Sequence, residues 1–323
     1  MKRLINLSLI VKFVCISFFA TALGGAFVFL NENTAKAEKS SATLRHFAVD
    51  QANQTPVAIE RSGSPWINLK PGEPINSDYV GDESAIGRFE SGSLRPATLA
   101  TTDFNFDGFN DVISGYAGTN GGIITLHQGS KEAFSPEDPQ VLAGIKNGNF
   151  PVSFERQANV IEVPVSPDFI AVGNFIKDSS LDLIVASRGG SSIYIFSSEG
   201  NGSFGVPREI TLNGAVTALA ADRFDASKAF TGLTVATETN GGQLVVFNGS
   251  EEISNTKPQR ISIGNTVSSL ILASADGSAP DRDLFILANG EISRIPQIGK
   301  GVLNPTRLDL PYRVNDFAIG EFV

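Results

Sequence analysis

The chain has 323 residues, with 25 Lys and Arg against 34 Asp and Glu, a formal net charge of −9. That length holds one large domain or two ordinary ones, and the acidic balance without any basic run argues against nucleic acid as a partner. With 23 Phe but only 4 Tyr and 1 Trp, the aromatic side chains belong to a core rather than to an exposed stacking surface.

The first 37 residues read as a signal peptide. Lys2, Arg3 and Lys12 flank an apolar run from Phe13 to Leu30, a polar NENTAKA stretch follows, and Ala35-Lys36-Ala37 is a small-x-small cleavage site. Cleavage before Glu38 would leave no membrane span and place the protein outside the cytoplasm: secreted, periplasmic or at the cell surface. The alternative is an uncleaved anchor, since the 18-residue apolar run is just long enough to span. Cys15, the only cysteine, lies in this segment, so a cleaved chain has no disulfide and carries 21 bases against 33 acids, net −12. Residues 38–96 form an N-terminal segment with four strand candidates: RHFAV (45–49), PVAIE (56–60), PWINL (65–69) and AIGRF (85–89). Trp66 there suits a buried position.

From residue 97 onward the pattern is all-β. Next comes DFNFDGFND (103–111), which places Asp103, Asn105, Asp107 and Asp111 at alternate positions of a short loop, with Gly108 inside it. Carboxylates so close repel unless a cation sits between them. Hard oxygen ligands at this spacing suit Ca²⁺: side chains at positions 1, 3 and 5, the Phe109 carbonyl at 7, both Asp111 oxygens at 9, and Gly108 for the sharp turn. It is not an EF-hand, because position 12 is Ser114 and strands flank it. The alternative is a solvated acidic turn that bonds its own backbone.

Four later segments repeat one pattern: 159–175, 207–224, 258–276 and 304–322. Each has a short alternating strand, a polar break and a more apolar strand. Ile161, Ile210, Ile261 and Leu308 hold the same place, at spacings of 49, 51 and 47. An earlier copy, SLRPATLATTDF (93–104), lies about 70 residues upstream of its successor, so the first unit carries an insertion within 131–158. After the inner strand come DVISGYA, DLIVASR, GLTVATE and DLFILAN, then a glycine turn, then a fourth strand. Hairpin turns of this kind need positive φ, which glycine supplies. Four-stranded antiparallel units at a period near 50 read as propeller blades, near 97–165, 166–214, 215–265 and 266–312, with 313–323 as a further inner strand. A sandwich or an open stack of hairpins is the alternative. The chain ends one strand into a blade. It is either part of a longer propeller, or a closed ring of about five blades in which the N-terminal segment completes the last.

The strand pattern and the DFNFDGFND loop resemble the FG-GAP/VCBS repeat family, the blades of integrin α-chain propellers and of many secreted bacterial proteins. The resemblance covers about 97–323 and implies a β-propeller with Ca²⁺ bound between the first two strands of a blade. The later loops depart from the motif. The second keeps Asn174, Asp178 and Asp182 but has Ile176 and Ser179 where a ligand and the glycine belong. The third begins at Asp222, carries Lys228 and ends on Gly232; the fourth, DGSAPDRD (276–283), has altered spacing. These departures predict weak or absent metal binding in the second loop, none in the third, and a hydrogen-bonded turn in the fourth.

No catalytic constellation is visible. His46 and His127 are isolated, His127 inside a strand, and there is no nucleophile elbow and no zinc-ligand cluster. Asp281 and Asp283 could mimic a general acid/base pair, although a turn with solvated charges is the commoner meaning. Two functions remain: an exported binding or adhesion module for a protein or glycan, or a secreted hydrolase or lyase using carboxylates on the propeller face.

Overall fold

The computed structural model describes residues 76–319, apart from 179, 201, 226, 275–280 and 302. The signal peptide, the candidate strands at 45–69, Trp66 and the last four residues lie outside the described residues.

Four antiparallel sheets of four strands follow one another along the chain, and the first gains a fifth, parallel strand. That sheet joins β1 (Asp78–Gly81), β2 (Arg95–Thr102), β3 (Asp111–Ala117), β4 (Gly122–Gly129) and β5 (Phe154–Val163) in the order β1-β5-β4-β3-β2. The second holds β6 (Phe169–Gly173), β7 (Asp182–Ala186), β8 (Ser192–Phe196) and β11 (Arg208–Thr211); the short β9 (Ser198–Gly200) and β10 (Ser203–Phe204) pair beside it. In the third are β12 (Val216–Asp222), β13 (Gly232–Thr237), β14 (Gln243–Phe247) and β15 (Gln259–Ser262). The fourth comprises β16 (Val267–Ala273), β17 (Asp283–Ala288), β18 (Glu291–Ile295) and β19 (Thr306–Arg307). Apart from β1, which precedes the first span, every strand of the four sheets falls within the blade spans expected from the repeat, give or take two residues.

The local causes are those read from the sequence. Ala288 pairs with Glu291 across a two-residue turn, and Asn289 and Gly290 both take positive φ, 49° and 75°. That is the hairpin geometry whose twist matches the flanking strands. The first strands β2, β12 and β16 share a register shift near their start, at Pro96/Thr98, Val216/Ala218 and Val267/Ser269. A repeated bulge of this kind bends each strand in the same way.

Successive sheets pack face to face. The first strands β2, β6, β12 and β16 adjoin in chain order. Phe104, Ile113 and Leu126 of the first sheet meet Leu183, Val185 and Phe196 of the second. Ile184 and Ile195 meet Val235 and Val245 of the third; Ala236 and Val246 meet Leu284 and Ile286 of the fourth. β7, β13 and β17 are buried at every residue because each lies between two such layers.

The two outer faces of this stack are covered by the chain itself. Helix α1 (Glu83–Glu90) lies on the first sheet, where Ala85 and Phe89 pack with Ile123, Val160 and Tyr116. Thus AIGRF, expected as a strand, is helical. Asp82 caps it by accepting from the Ser84 N–H at 2.8 Å, and its apolar residues at spacings of three and four fit a docked helix as well as a strand. Residues 78–90 therefore add to the first sheet rather than to the last. On the fourth sheet, Val314 and Phe317 pack against Phe285, Leu287 and Ile292. No strand forms at 313–319, the described part of the stretch expected as an inner strand. Its approach is nonetheless that of an inner strand: Val314 N–H donates to Gly290 O at 2.9 Å, as Val216 N–H does to Gly190 O at 2.7 Å.

The insertion in the first unit spans 130–153 and contains α2 (Lys131–Phe134) and α3 (Pro139–Lys146). Among the described residues, no helix is long and apolar enough to cross a membrane.

Candidate functional site

The loop 103–111 joins β2 to β3, at the same end of the first sheet as the insertion between β4 and β5. It folds around its own carboxylates. Asp103 Oδ1 accepts from the Asp107 N–H at 3.0 Å and Oδ2 from the Gly108 N–H at 2.9 Å. Asn105 Oδ1 also accepts from the Asp107 N–H, its Nδ2 donates to Asp107 Oδ2, and Asp107 Oδ1 accepts from the Phe109 N–H at 2.8 Å. Two residues take left-handed backbone, Gly108 at φ 93° and Phe106 at φ 59°. For phenylalanine that conformation costs about 1–2 kcal/mol, so the surrounding bonds must impose it.

Asp111 differs from the other three. It is fully buried; Oδ2 accepts from the Phe104 N–H at 2.9 Å and Oδ1 from the Gly129 N–H at 2.8 Å. Burial pushes its carboxyl above the usual range; the two N–H bonds oppose this, and the nearby negative charge of Asp107 adds to it. Among the described residues no Lys or Arg pairs with Asp103, Asp107 or Asp111, and no three Asp, Glu, His or Cys side chains gather as a metal cluster. Asp103, Asn105, Asp107, Asp111 and the Phe109 carbonyl nevertheless supply only hard oxygens. Each carboxylate oxygen has a second lone pair beyond its N–H bond, so the donor chemistry fits Ca²⁺.

The same position in the other sheets shows what the acid does for the fold. Asp182 Oδ2 accepts from the Phe175 and Ile176 N–H groups, each at 2.8 Å, while its buried Oδ1 has no hydrogen-bond partner among the described residues. Asn174 Nδ2 donates to Ala229 O at 3.2 Å, while its buried Oδ1 has no hydrogen-bond partner among the described residues; Asp178 accepts from the Ser180 N–H. In the third sheet the place is taken by Gly232, where a Cβ would come within 2.4 Å of the Phe224 ring. Asp222, at the start of that loop, pairs with Arg282 of the fourth sheet at 2.6 Å.

The fourth loop corrects the expectation of solvated charges. Asp281 and Asp283 are both buried. Asp283 Oδ2 receives Arg294 through Nε at 3.0 Å and a terminal nitrogen at 2.6 Å, and Oδ1 accepts from the Gln297 N–H at 2.7 Å. Asp281 pairs with Lys300, whose ammonium is held above its ordinary pKa by that contact. The signal was in the sequence, since Arg294 and Lys300 follow within 20 residues, but the pairing of β17 with β18 is needed to bring Arg294 across, and the turn at Ile298–Lys300 to bring Lys300. His127 sits half-buried in β4 between Tyr79 and Phe154, and burial holds its imidazole below the usual pKa; it packs as a structural side chain.

Burial pushes the Asp182 carboxyl up to about 6; its N–H bonds to Phe175 and Ile176 and the Arg208 charge pull the other way, and Asp178 adds to the rise. The folded chain therefore keeps this proton to higher pH than the unfolded chain, which releases it near 4. Stability from this group is greatest below pH 4, falls as pH climbs from about 4 to about 6, and is flat above. Against Asp182→Asn, which does not titrate, the wild type should lose about 2–3 kcal/mol across that window. Urea unfolding of both proteins at pH 4, 5, 6 and 7 measures it; parallel curves would show that Asp182 ionises normally.

No family profile matches the sequence, and no curated protein matches it. Similar solved structures include two crystal structures of BBS1N in complex with ARL6DN. The one soaked with mercury superposes with a TM-score of 0.44 at 15% identity, covering 68% of this chain and 60% of that one. The one soaked with lead gives 0.42 at 13%, covering 68% and 62%. The chain thus spans about three fifths of the length of those two chains.

Proposed function

We propose that the chain is an exported β-propeller whose four-stranded sheets are blades, stiffened by Ca²⁺ in the 103–111 loop. It acts as a binding or adhesion module for a protein or glycan. One observation carries the calcium reading: the buried acids of the fourth sheet are neutralised by Arg294 and Lys300, whereas Asp103, Asp107 and Asp111 have no cation partner among the described residues. A bound Ca²⁺ would supply the missing positive charge and relieve the repulsion between Asp107 and Asp111. The same ion pairs remove Asp281 and Asp283 as candidates for the hydrolase or lyase reading, because Lys300 and Arg294 already occupy them.

Calcium that binds the folded loop alone stabilises by mass action, by about 1 kcal/mol for a weak extracellular-type site at millimolar calcium. For a domain of this size that is a rise of about 2–4 °C in Tm. Melting in EDTA, Mg²⁺ and Ca²⁺ should show this rise with Ca²⁺, less with Mg²⁺, none in Asp107→Ala and most of it in Asp178→Ala. A wild type without a calcium response, or equal losses in both variants, would refute the site. Glycan and protein arrays, run beside polysaccharide-degradation assays, separate a binding module from an enzyme.

A further inference from the structure

The end of the first sheet that carries the 103–111 loop also carries an uncovered apolar surface. Phe106, Phe134 and Phe150 are 62%, 60% and 76% exposed, and Leu142 and Val152 are exposed beside them in sequence. Five of the ten exposed large hydrophobics among the described residues fall between 106 and 152. They fall on two segments at one end of the first sheet, the loop and the insertion, and exposed apolar residues gathered at one end mark an interaction surface. One contact joins the two segments and another closes the insertion. The Phe109 ring stacks on Phe134, centroids 6.0 Å apart and 18° from parallel, and the Ser130 N–H donates to Ser153 O at 3.0 Å across the base of the insertion. Helix α3 buries none of its eight residues, although Leu142 and Ile145 share one face. An isolated helix of that length has little reason to persist in water without a partner for its apolar face.

The charges around these rings are mostly negative. Asp107, Glu132, Glu137 and Asp138 stand against Lys131 and Lys146, and Lys131 is already held by Glu137 at 2.6 Å. We propose that this end of the first sheet docks a cationic, apolar protein segment. Phe106, Phe134 and Phe150 take up its apolar side chains, and the acids of the insertion pair with its Lys or Arg. The proposal deepens the binding-module reading and rests on it. The acid surplus works against an anionic membrane, and phenylalanine offers no hydrogen bond to a sugar hydroxyl.

The test uses a fluorescein-labelled amphipathic helical peptide of Lys and Leu, a Glu/Leu counterpart of the same length, and phosphatidylglycerol vesicles. Binding of the purified chain is followed by fluorescence anisotropy and by vesicle co-sedimentation, in Ca²⁺ and in EDTA. The Lys/Leu peptide should bind and weaken with added salt, and the Glu/Leu peptide should not bind. The double change Phe106→Ser, Phe134→Ser should weaken binding by about tenfold or more, since exposed rings that become buried anchors dominate such interfaces. Phe150→Ser and Glu137→Lys should each weaken it severalfold. All these positions are exposed, so melting temperatures in EDTA should stay within a few degrees of wild type. Absence of Lys/Leu binding, equal binding of the Glu/Leu peptide, preference for the vesicles, or binding undiminished in the Phe variants would each overturn the proposal. In the last case the chain would still be a binding module, with its site elsewhere. Peptide binding through these rings in a protein whose Tm ignores calcium would uphold the surface and reject only the metal site.

Discussion

Asp283→Ala is expected to lower the stability of the chain by about 3 kcal/mol, a fall in Tm of about 6–12 °C. Asp283 is buried and makes three bonds, two to the Arg294 guanidinium and one to the Gln297 N–H. Truncation strands both partners. The Arg294 side chain is about one third exposed and regains some water, which places the loss at the low end of the range for a broken buried pair. Arg294→Ala should cost a similar amount, because it leaves a buried carboxylate with a single N–H. The pair Arg156–Asp78 is the control: its side chains are largely exposed, and Arg156→Ala should change stability by less than about 1 kcal/mol. The distinction should survive added salt, which screens the surface pair and spares the buried one. Thermal melting of the four proteins at low and high salt decides it. Equal effects at Asp283 and Arg156 would mean that the fourth loop is solvated after all.

Much of the fold was legible because its signals are local. Alternation marks the edge strands, continuous apolar runs mark β7, β13 and β17, and Asn-Gly or Gly-Gly turns mark the hairpins between them. A repeat every 47–51 residues multiplies those weak signals. What escaped the sequence reading depends on contacts between distant residues. AIGRF has the alternation of a strand, and it is helical because Asp82 caps it and the first sheet offers Ile123 and Val160 as a docking face. Asp281 and Asp283 look like a polar turn until β18 carries Arg294 opposite them. Gly232 reads as a lost ligand, but the Phe224 ring already fills the space that its side chain would need. Spacing alone marks the loop 103–111 as a candidate site. What spacing does not reveal is that an acid at the start of a second strand has a second use beside the proposed ligand role, as an acceptor for backbone N–H groups. Asp182 and Asp283 show the second use in sheets whose loops depart from the motif.

That double use separates Asp111 from Asp107 in a single experiment. In EDTA, Asp111→Ala should lower stability by about 2–4 kcal/mol, because the buried N–H groups of Phe104 and Gly129 both lose their acceptor. Those two bonds span the sheet end, joining the β2–β3 loop to the last residue of β4, so their loss should loosen the base of the insertion as well. Hydrogen exchange at the Gly129 and Ser130 amides should rise accordingly. Asp107→Ala removes only exposed bonds to the Phe109 N–H and to Asn105, and in EDTA should cost less than about 1 kcal/mol. With calcium the order of information reverses. Asp107→Ala should melt at one temperature with or without the metal, at a stability close to that of the wild type in EDTA. Asp111→Ala should melt low in both conditions, since the anchor is gone before any ion arrives. Asp111→Asn is the sharper variant. It keeps one acceptor but turns a donor toward the other N–H, so it should recover no more than about half of the lost stability. If Asp111→Ala is as stable in EDTA as Asp107→Ala, the carboxylate is not an anchor, and its place in the loop is that of a ligand alone.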